Sequence, residues 1–418
     1  VGAGVADALT KKSHLLSSQA GASLNLKRVL VRDSEKKRSL SLSPNLLTTK
    51  PQEILDDPSI HIVIEAMGGE HPALEYIKTA LSRGKHLVTA NKEVMAKHGS
   101  ALFALAQKHQ VDIGLEASVG GGIPIIALTR KDLLANRIYA IHAIINGTTN
   151  FILTQMAEAD WDFQQALSRA KELGFAEPDP SDDVEGRDAA YKLAILATLA
   201  FRHPIRVEDV YYEGITRLEA KDFRYARELG YTIKLLAIGK AENDTIQVRV
   251  HPAFVPQNLL IAKVDGVFNA IKLDGDLVGR LLLYGRGAGS QPTTSAVLAD
   301  VIHIAQGIIE GHRSPRGITI ETGKKVAPME MLETRYYLRL NVADRPGVLA
   351  QIARVLGDLH ISISSVIQKE ADPHAQTAEI VIMTHPAREA SMQEALKEVD
   401  KLGVIKEIGN LIRVEDCS

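Results

Sequence analysis

The sequence predicts an α/β protein in three parts: a doubly wound parallel sheet, an α+β half, and a small C-terminal strand–helix–strand–strand–helix–strand module. Three observations carry this. Up to about residue 120, short apolar runs alternate with stretches of helical spacing. From about Ile138 that regular alternation stops and helices cluster. After a segment at 308–332 rich in Gly, Pro, Arg and Lys, the alternation starts afresh.

In chain order, residues 5–19 read as helix and Leu26–Val31 as a short buried strand. Ser59–Glu65 reads as a second strand, and Pro72–Arg83 as a helix closed by Gly84. Lys85–Thr89 is strand-like, 94–109 helical, and Val111–Leu115 strand-like again. Strands spaced by such helices imply βαβ units and a parallel sheet. Tyr139–Ile145 opens the next part as a strand. The Asn146-Gly147-Thr148-Thr149-Asn150 stretch follows, then helices at 151–159, 162–173 and 184–200 and strands near 244–251 and 261–264. Residues 285–310, with a helix at 293–307, return to the first domain. The expected domains are therefore 1–138 with 285–310, then 139–284, a linker at 311–332, and 333–418. In the last, strands 335–343, 361–368, 377–384 and 404–413 alternate with helices 347–358 and 388–400, the ferredoxin-like order.

Bulk properties narrow the function. A length of 418 residues suits two or three domains with their own cores. With 49 basic against 51 acidic residues, nothing selects a polyanion, so no nucleic-acid partner is expected. No apolar run approaches the roughly 20 residues that span a bilayer, so no membrane partner is expected. The only cysteine is Cys417, which excludes an intrachain disulfide framework and makes a cytoplasmic location the expectation.

The chain enters its first helix directly from Val1-Gly2. In the Rossmann dinucleotide fold a strand runs through Gly-x-Gly-x-x-Gly into a helix, with the pyrophosphate at the helix N-terminus. Gly2 fits the third glycine, which permits close helix–strand packing, and the strand at 26–31 follows at the distance of one βα unit. A strand and the first two glycines are expected ahead of Val1. Gly2 also reads as an ordinary N-terminal glycine. After the strand come Arg32 and Asp33, with Lys36, Lys37 and Arg38 close behind. Basic residues there suit a ribose 2′-phosphate and an acidic one a 2′-hydroxyl, so NADP is favoured with NAD retained. A solvated charged loop is the other reading.

The most informative stretch is Gly174 to Lys192. Pro178 and Pro180 hold Glu177 in a stiff extended loop, and Asp182 or Asp183 is placed to cap the following helix. Asp188 and Lys192, at i and i+4, share a helix face with Leu196 and Leu199. Such a pair is often a surface salt bridge; on an apolar stripe it reads as a paired or functional charge. A partly buried Lys beside a carboxylate suits proton delivery to an alkoxide formed by carbonyl reduction. Lys92, in Thr89-Ala90-Asn91-Lys92-Glu93, follows a parallel strand, where open sheets bind ligands, although a solvent-exposed Lys has the same appearance. Glu116 precedes Val119-Gly120-Gly121-Gly122-Ile123-Pro124. One carboxylate with free carbonyls is a ligand set for a hard cation, and a tight turn needs the same glycines.

Together, TANKE (89–93), EASVGGGIPI (116–125), INGTTNFIL (145–153), GFAEPDPSDDVEGRDAAYK (174–192) and GRGAGSQPTTSAVLAD (285–300) resemble the homoserine dehydrogenases over nearly the whole chain. The GFAEPDP segment is the most specific. The resemblance implies interconversion of L-aspartate 4-semialdehyde and L-homoserine in threonine, methionine and isoleucine biosynthesis. It implies Lys192 as proton donor, Glu177, Asp183 and Asp188 as substrate contacts, and Lys92 as a contact to cofactor and substrate. Val1, Gly2, Arg32, Gly174 and Gly289 would line the cofactor. Glu116 with the carbonyls of Val119, Gly121 and Ile123 would bind sodium. The absent first two fingerprint glycines are the one departure.

Tyr336 to Ala350, with Asp344-Arg345-Pro346-Gly347 turning into a helix, resembles the opening of an ACT domain. Free N–H groups at that helix start suit an amino-acid carboxylate. The resemblance implies an effector, L-threonine, near Asp344, Gly347 and Val348, and side-by-side pairing within a homodimer or homotetramer. A purely dimerising module is the alternative. Two other functions fit less well. Aspartate semialdehyde dehydrogenase chemistry needs a Cys nucleophile, and Cys417 lies in the terminal tail. A non-enzymatic sensor on a dead dehydrogenase would be expected to lack Lys192 or Asp188, and both are present.

Overall fold

The computed structural model describes residues 1–33, 42–311, 323–372 and 374–417. The chain forms two compact units. One comprises Val1–Tyr139, Tyr191–Glu208 and Asn269–Gly323; the other comprises Ala140–Ala190, Asp209–Phe268 and Lys324–Ser418. No helix among the described residues is long and apolar enough to cross a membrane.

In the first unit, Ile62–Glu65, His86–Thr89 and Ile113–Gly114 form a parallel sheet in that order. The helices Ala73–Ser82 and Lys92–His109 connect them, as the alternating pattern requires. A second parallel pair, Val29–Leu30 with Leu47–Thr48, stands apart from these three strands. The expected helix at 5–19 is two helices, Gly2–Lys11 and Ser13–Ala20. They pack on the helix Ser290–Ile309 through a core that includes Val5, Leu9, Leu16, Val297 and Val301. The close approach there is at Gly4, not Gly2. A Cβ on Gly4 would stand 2.6 Å from Thr294 Oγ1, whereas one on Gly2 would meet nothing within 4 Å. A cavity of about 840 Å³ is lined by Gly2, Val5, Leu26, Leu30, Ile62 and Glu65, among others.

Two glycine-rich motifs owe their composition to each other. A Cβ on Gly121 would lie 2.3 Å from the Gly287 carbonyl oxygen, and one on Gly287 would lie 1.7 Å from the Asn269 amide nitrogen. Gly121 also has φ +53°. Gly121→Ala therefore forces both a left-handed backbone and a backbone clash, and is expected to cost about 3 kcal/mol or more in urea denaturation. Gly403→Ala, with open space around its Cα, is the neutral comparison.

In the second unit, Tyr231–Glu242 pairs antiparallel with Thr245–Pro256 along their whole lengths, and Ala140–Ala143 pairs with 237–240. The sequence reading missed Tyr231–Glu242, and where it placed a strand near 261–264 there is a helical turn, Leu260–Lys263. The C-terminal module has the expected order: Glu333–Ala343, Val348–Asp358, Ile363–Asp372, Thr377–Thr384, Glu389–Asp400 and Ile405–Val414, with a short extra strand at Ala387–Arg388. Its strands are ordered 405–414, 333–343, 377–384, 363–372, and its core is built on Leu338, Leu340, Ile352, Ile380, Met392 and Val399 among others. One feature of the sheet was not legible. Ile405–Val414 also pairs with Thr245–Pro256, at Arg413↔Ala253 and Val414↔Phe254, so the module's sheet continues the unit's central hairpin. Part of the expected linker, Lys325–Val326, likewise pairs with Thr245–Ile246.

Candidate active site

The Asn146–Asn150 stretch after the strand Ile138–Ile144 opens the helix, which begins at Gly147 rather than at 151. Asn146 has an extended backbone and its Oδ1 accepts from the Thr149 N–H, so it caps Gly147–Ala159. Its side-chain NH2 reaches in the other direction. Nδ2 donates to Asp183 Oδ1 at 2.6 Å and to Asp188 Oδ2 at 2.8 Å. Both amide protons are thereby used, and two carboxylates from separate helices are held on one nitrogen. Asp188 is 2% exposed. Asp182 and Asp183 lie inside a short helix, Ser181–Val184, ahead of the long helix that begins at Arg187: Asp183 turns to Asn146, and Asp182 pairs with Arg187 at 2.7 Å.

Neighbouring contacts fix the flanking loop. Thr148 Oγ1 donates to the Phe175 carbonyl, and the Phe151 and Phe175 rings meet edge to face at 5.0 Å. Asn150 Nδ2 lies within hydrogen-bond reach of the carbonyls of Val264, Gly266 and Phe268. The INGTTN and GFAEPDP motifs are thus one structural feature. Gly174 has φ +72° and is exposed, and Glu177 is exposed on the irregular segment beyond it.

The helix Arg187–Phe201 carries Asp188 in its first turn and Lys192 one turn later. From 188 to 201 every residue is buried except Lys192, which is half-buried. Leu196 and Leu199 are buried as expected, but so are the other faces, so the apolar stripe understated how central this helix is.

In the first unit, the C-terminal strand ends are locked together. Glu65 Oε2 accepts from Thr89 Oγ1 at 2.6 Å, Glu65 Oε1 accepts from the Met67 N–H, and Thr89 Oγ1 accepts from the Asn91 N–H. Asn91 caps the helix that Lys92 opens, its Oδ1 accepting from the Val94 N–H. Lys92 is half-buried at this helix start. Val1 and Gly2 lie at the start of the first helix, Gly2 on the wall of the cavity. Arg32 and Asp33 are exposed after the strand Val29–Leu30, and Lys36, Lys37 and Arg38 lie outside the described residues. Gly289, at φ +119°, precedes the helix Ser290–Ile309.

Glu116 is 4% exposed, and its two carboxylate oxygens accept from the N–H groups of Ile126 and Ala127. Burial pushes its pKa up to about 7, against those two hydrogen bonds, and the nearby Asp300 carboxylate pushes the same way. Asp300, which accepts from the Glu116 N–H, is itself pushed up by burial to about 6. Val119, Gly121 and Ile123 are buried beside this pair in sequence. Among the described residues no cluster of three His, Cys, Asp or Glu side chains stands ready for a metal.

These shifts fix a pH dependence. Both folded-state values lie above the ordinary carboxylate range, so the stabilising contribution is full below about pH 4 and is lost as pH rises through 6 to 7. Relative to Glu116→Gln, the parent chain is expected to gain roughly 2 kcal/mol of stability between pH 8 and pH 5. Denaturant titrations at the two pH values measure it, and a constant difference excludes the shift.

In the C-terminal module, Gly347 at φ +87° leads into the helix Val348–Asp358. Asp344 and Gly347 are exposed and Val348 is buried. The turn is tied by the Asp344 N–H donating to the Gln376 carbonyl.

Residues 1–116 match the family model for the homoserine dehydrogenase NAD binding domain, 124–302 that for homoserine dehydrogenase, and 336–404 that for the ACT domain. A homoserine dehydrogenase of Synechocystis is 44% identical over 400 residues, spanning 94% of this chain and 92% of the relative. The chain belongs to the homoserine dehydrogenase family. A homoserine dehydrogenase of Neisseria gonorrhoeae is 40% identical over 99% of this chain and 96% of its own length. A solved structure of a homoserine dehydrogenase from Thiobacillus denitrificans matches with a TM-score of 0.94 and 43% identity, covering 100% of this chain and 96% of that one. A hyperthermophilic archaeal homoserine dehydrogenase solved in complex with NADPH matches at TM-score 0.62 and 28% identity, over 73% of this chain and 94% of that one. This chain is accordingly an NAD(P)-dependent oxidoreductase with a nicotinamide-binding domain, a catalytic sheet domain and a C-terminal ACT domain.

Sequence reasoning missed Asn146, Glu65, Thr89, Asn91 as a cap, Asp300 and Gly4. For Asn146 a signal existed, since Asn directly after a strand and before a helix is a favoured helix cap.

Proposed function

We propose that Lys192 is the proton donor for the interconversion of L-aspartate 4-semialdehyde and L-homoserine by this family member. The observation that carries it is the local one: a half-buried lysine one turn beyond a buried aspartate that Asn146 holds in place. Bound nicotinamide supplies or accepts the hydride at the aldehyde carbon. The Lys192 Nζ gives a proton to the forming alkoxide oxygen and, in reverse, receives the proton of the alcohol. Asp188, Asp183 and Glu177 hold the ends of the amino-acid substrate, and Lys92 orients it against the cofactor.

Arg32 at the ribose favours NADP over NAD, while Gly174, Gly289 and Gly2 give backbone access to the cofactor. Glu116, with the carbonyls of Val119, Gly121 and Ile123, holds sodium. An ion there lowers the Glu116 pKa, so the acid-dependent stability gain is smaller in NaCl than in choline chloride. L-threonine, the pathway's end product, binds the ACT helix start at Asp344, Gly347 and Val348, in a cytoplasmic homodimer or homotetramer.

The test follows nicotinamide absorbance with L-homoserine and NADP or NAD, with and without L-threonine. Homoserine-dependent reduction is expected, with a lower KM for NADP. Threonine inhibition is expected to weaken by about tenfold or more in Asp344→Ala, the loss of one charge-assisted contact. No turnover of homoserine with either cofactor rejects the reading.

A further inference from the structure

The ACT module's last strand places a buried guanidinium between the module and the segment Tyr211–Glu213. Arg413 is 2% exposed. Its Nε and Nη2 donate to the two carboxylate oxygens of Glu389, at 2.8 and 2.6 Å, at the start of the module's second helix. Tyr336 on the module's first strand donates to the same carboxylate at 2.9 Å. The remaining arm reaches out of the module: Nη1 donates to Glu213 Oε2 at 2.7 Å, and the guanidinium stands 5.3 Å from the Tyr211 ring centroid. Tyr211 also donates to Glu213, at 3.0 Å.

Glu213 lies directly against the substrate-side segment through its main chain. The Ile215 N–H donates to the Val184 carbonyl at 2.8 Å. A Cβ on Gly214 would lie 2.3 Å from that carbonyl oxygen, and one on Gly186 would lie 3.1 Å from the Glu213 carbonyl. Residues 184–186 and 213–215 are therefore in backbone contact with no slack on either side. Val184 follows Asp183 directly, and Gly186 precedes Asp188 by two residues. A shift of Glu213 moves the frame on which the two carboxylates are spaced.

A buried ion pair of this kind is weak evidence of stabilisation, because an apolar replacement is often as stable. What it supplies is geometry: a planar fork with three fixed acceptor directions. We propose that Arg413, acting through Glu213, is a positioning residue that sets the spacing of Asp183 and Asp188 and so the affinity for the amino-acid substrate. The inference rests on the reading of those two aspartates as substrate contacts.

Glu213→Gln is the informative variant, because it leaves Arg413 paired with Glu389. Steady-state kinetics are expected to show the homoserine KM raised about five- to tenfold, with the cofactor KM and kcat within about twofold of the parent. Arg413→Lys, which keeps the charge and loses the fork, raises the same KM, and Glu213→Asp recovers part of the loss. A merely structural tie lowers the active fraction, and so kcat, without moving the homoserine KM. Asp183→Asn and Asp188→Asn are measured alongside. If they raise the homoserine KM and Glu213→Gln and Arg413→Lys do not, the positioning role is overturned while the substrate reading stands. If neither aspartate variant raises it, the substrate reading fails, and this proposal fails with it whatever Glu213→Gln does. Should Glu213→Gln not fold, Arg413→Lys and Glu213→Asp decide by the same KM.

Discussion

Lys192→Ala is expected to lower kcat for homoserine oxidation by about 10²- to 10⁴-fold, the range of a single positioned acid–base group. Nicotinamide binding, measured by fluorescence or equilibrium titration, should stay close to that of the parent. The helix Arg187–Phe201 has every other residue from 188 onward buried, so its position does not depend on the lysine. Alanine is also the better helix former, which keeps the substitution local. Lys192→Arg sharpens the test. A guanidinium retains the positive charge but does not release its proton at accessible pH, so substrate affinity is expected to survive while kcat falls. Partial recovery of the alanine variant by small primary amines would assign the missing function to proton transfer. A rate within about tenfold of the parent removes Lys192 from the chemistry.

What the sequence disclosed depended on the range over which a pattern acts. The C-terminal module was legible almost to the residue, since Leu338, Leu340 and Val342 alternate with Arg339 and Asn341 and its short elements are separated by glycine- and proline-marked turns. Period and punctuation are local. The strand Tyr231–Glu242 was not read, because it is buried on both faces along most of its length and presents a run rather than an alternation. Gly4 was overlooked because a glycine's reason here is a threonine 290 residues away, Thr294, in the helix that packs on it. The site divides the same way. Asp188 and Lys192 declare themselves by spacing along one helix. Asn146, which orders the acids, lies 42 residues before Asp188, and Arg413 lies 200 residues after Glu213. No one-dimensional pattern links such partners; the fold brings them together.

The second large effect is expected at Asp188. Its carboxylate is 2% exposed, and a charge so placed is tolerated when it is paired or used. The Asn146 amide nitrogen donates to it at 2.8 Å and to Asp183 Oδ1 at 2.6 Å, so the two carboxylates stand side by side. In the proposed reading, this pair of acids receives the ammonium of the amino-acid substrate. Asp188→Asn keeps the shape and leaves an oxygen for the Asn146 donor, so the fold is expected to survive, with a thermal midpoint near that of the parent. The charge is lost, and with it a charge-assisted contact to substrate. On the scale of such bonds, kcat/KM for homoserine is expected to fall roughly 100-fold, mostly through KM, with the cofactor KM unchanged. Asp188→Ala goes further, stranding the buried Asn146 donor and costing about 1–3 kcal/mol of stability as well. Normal kcat/KM in a folded Asp188→Asn chain would show that this acid only holds Asn146 and the helix start in place, and that the ammonium is recognised elsewhere.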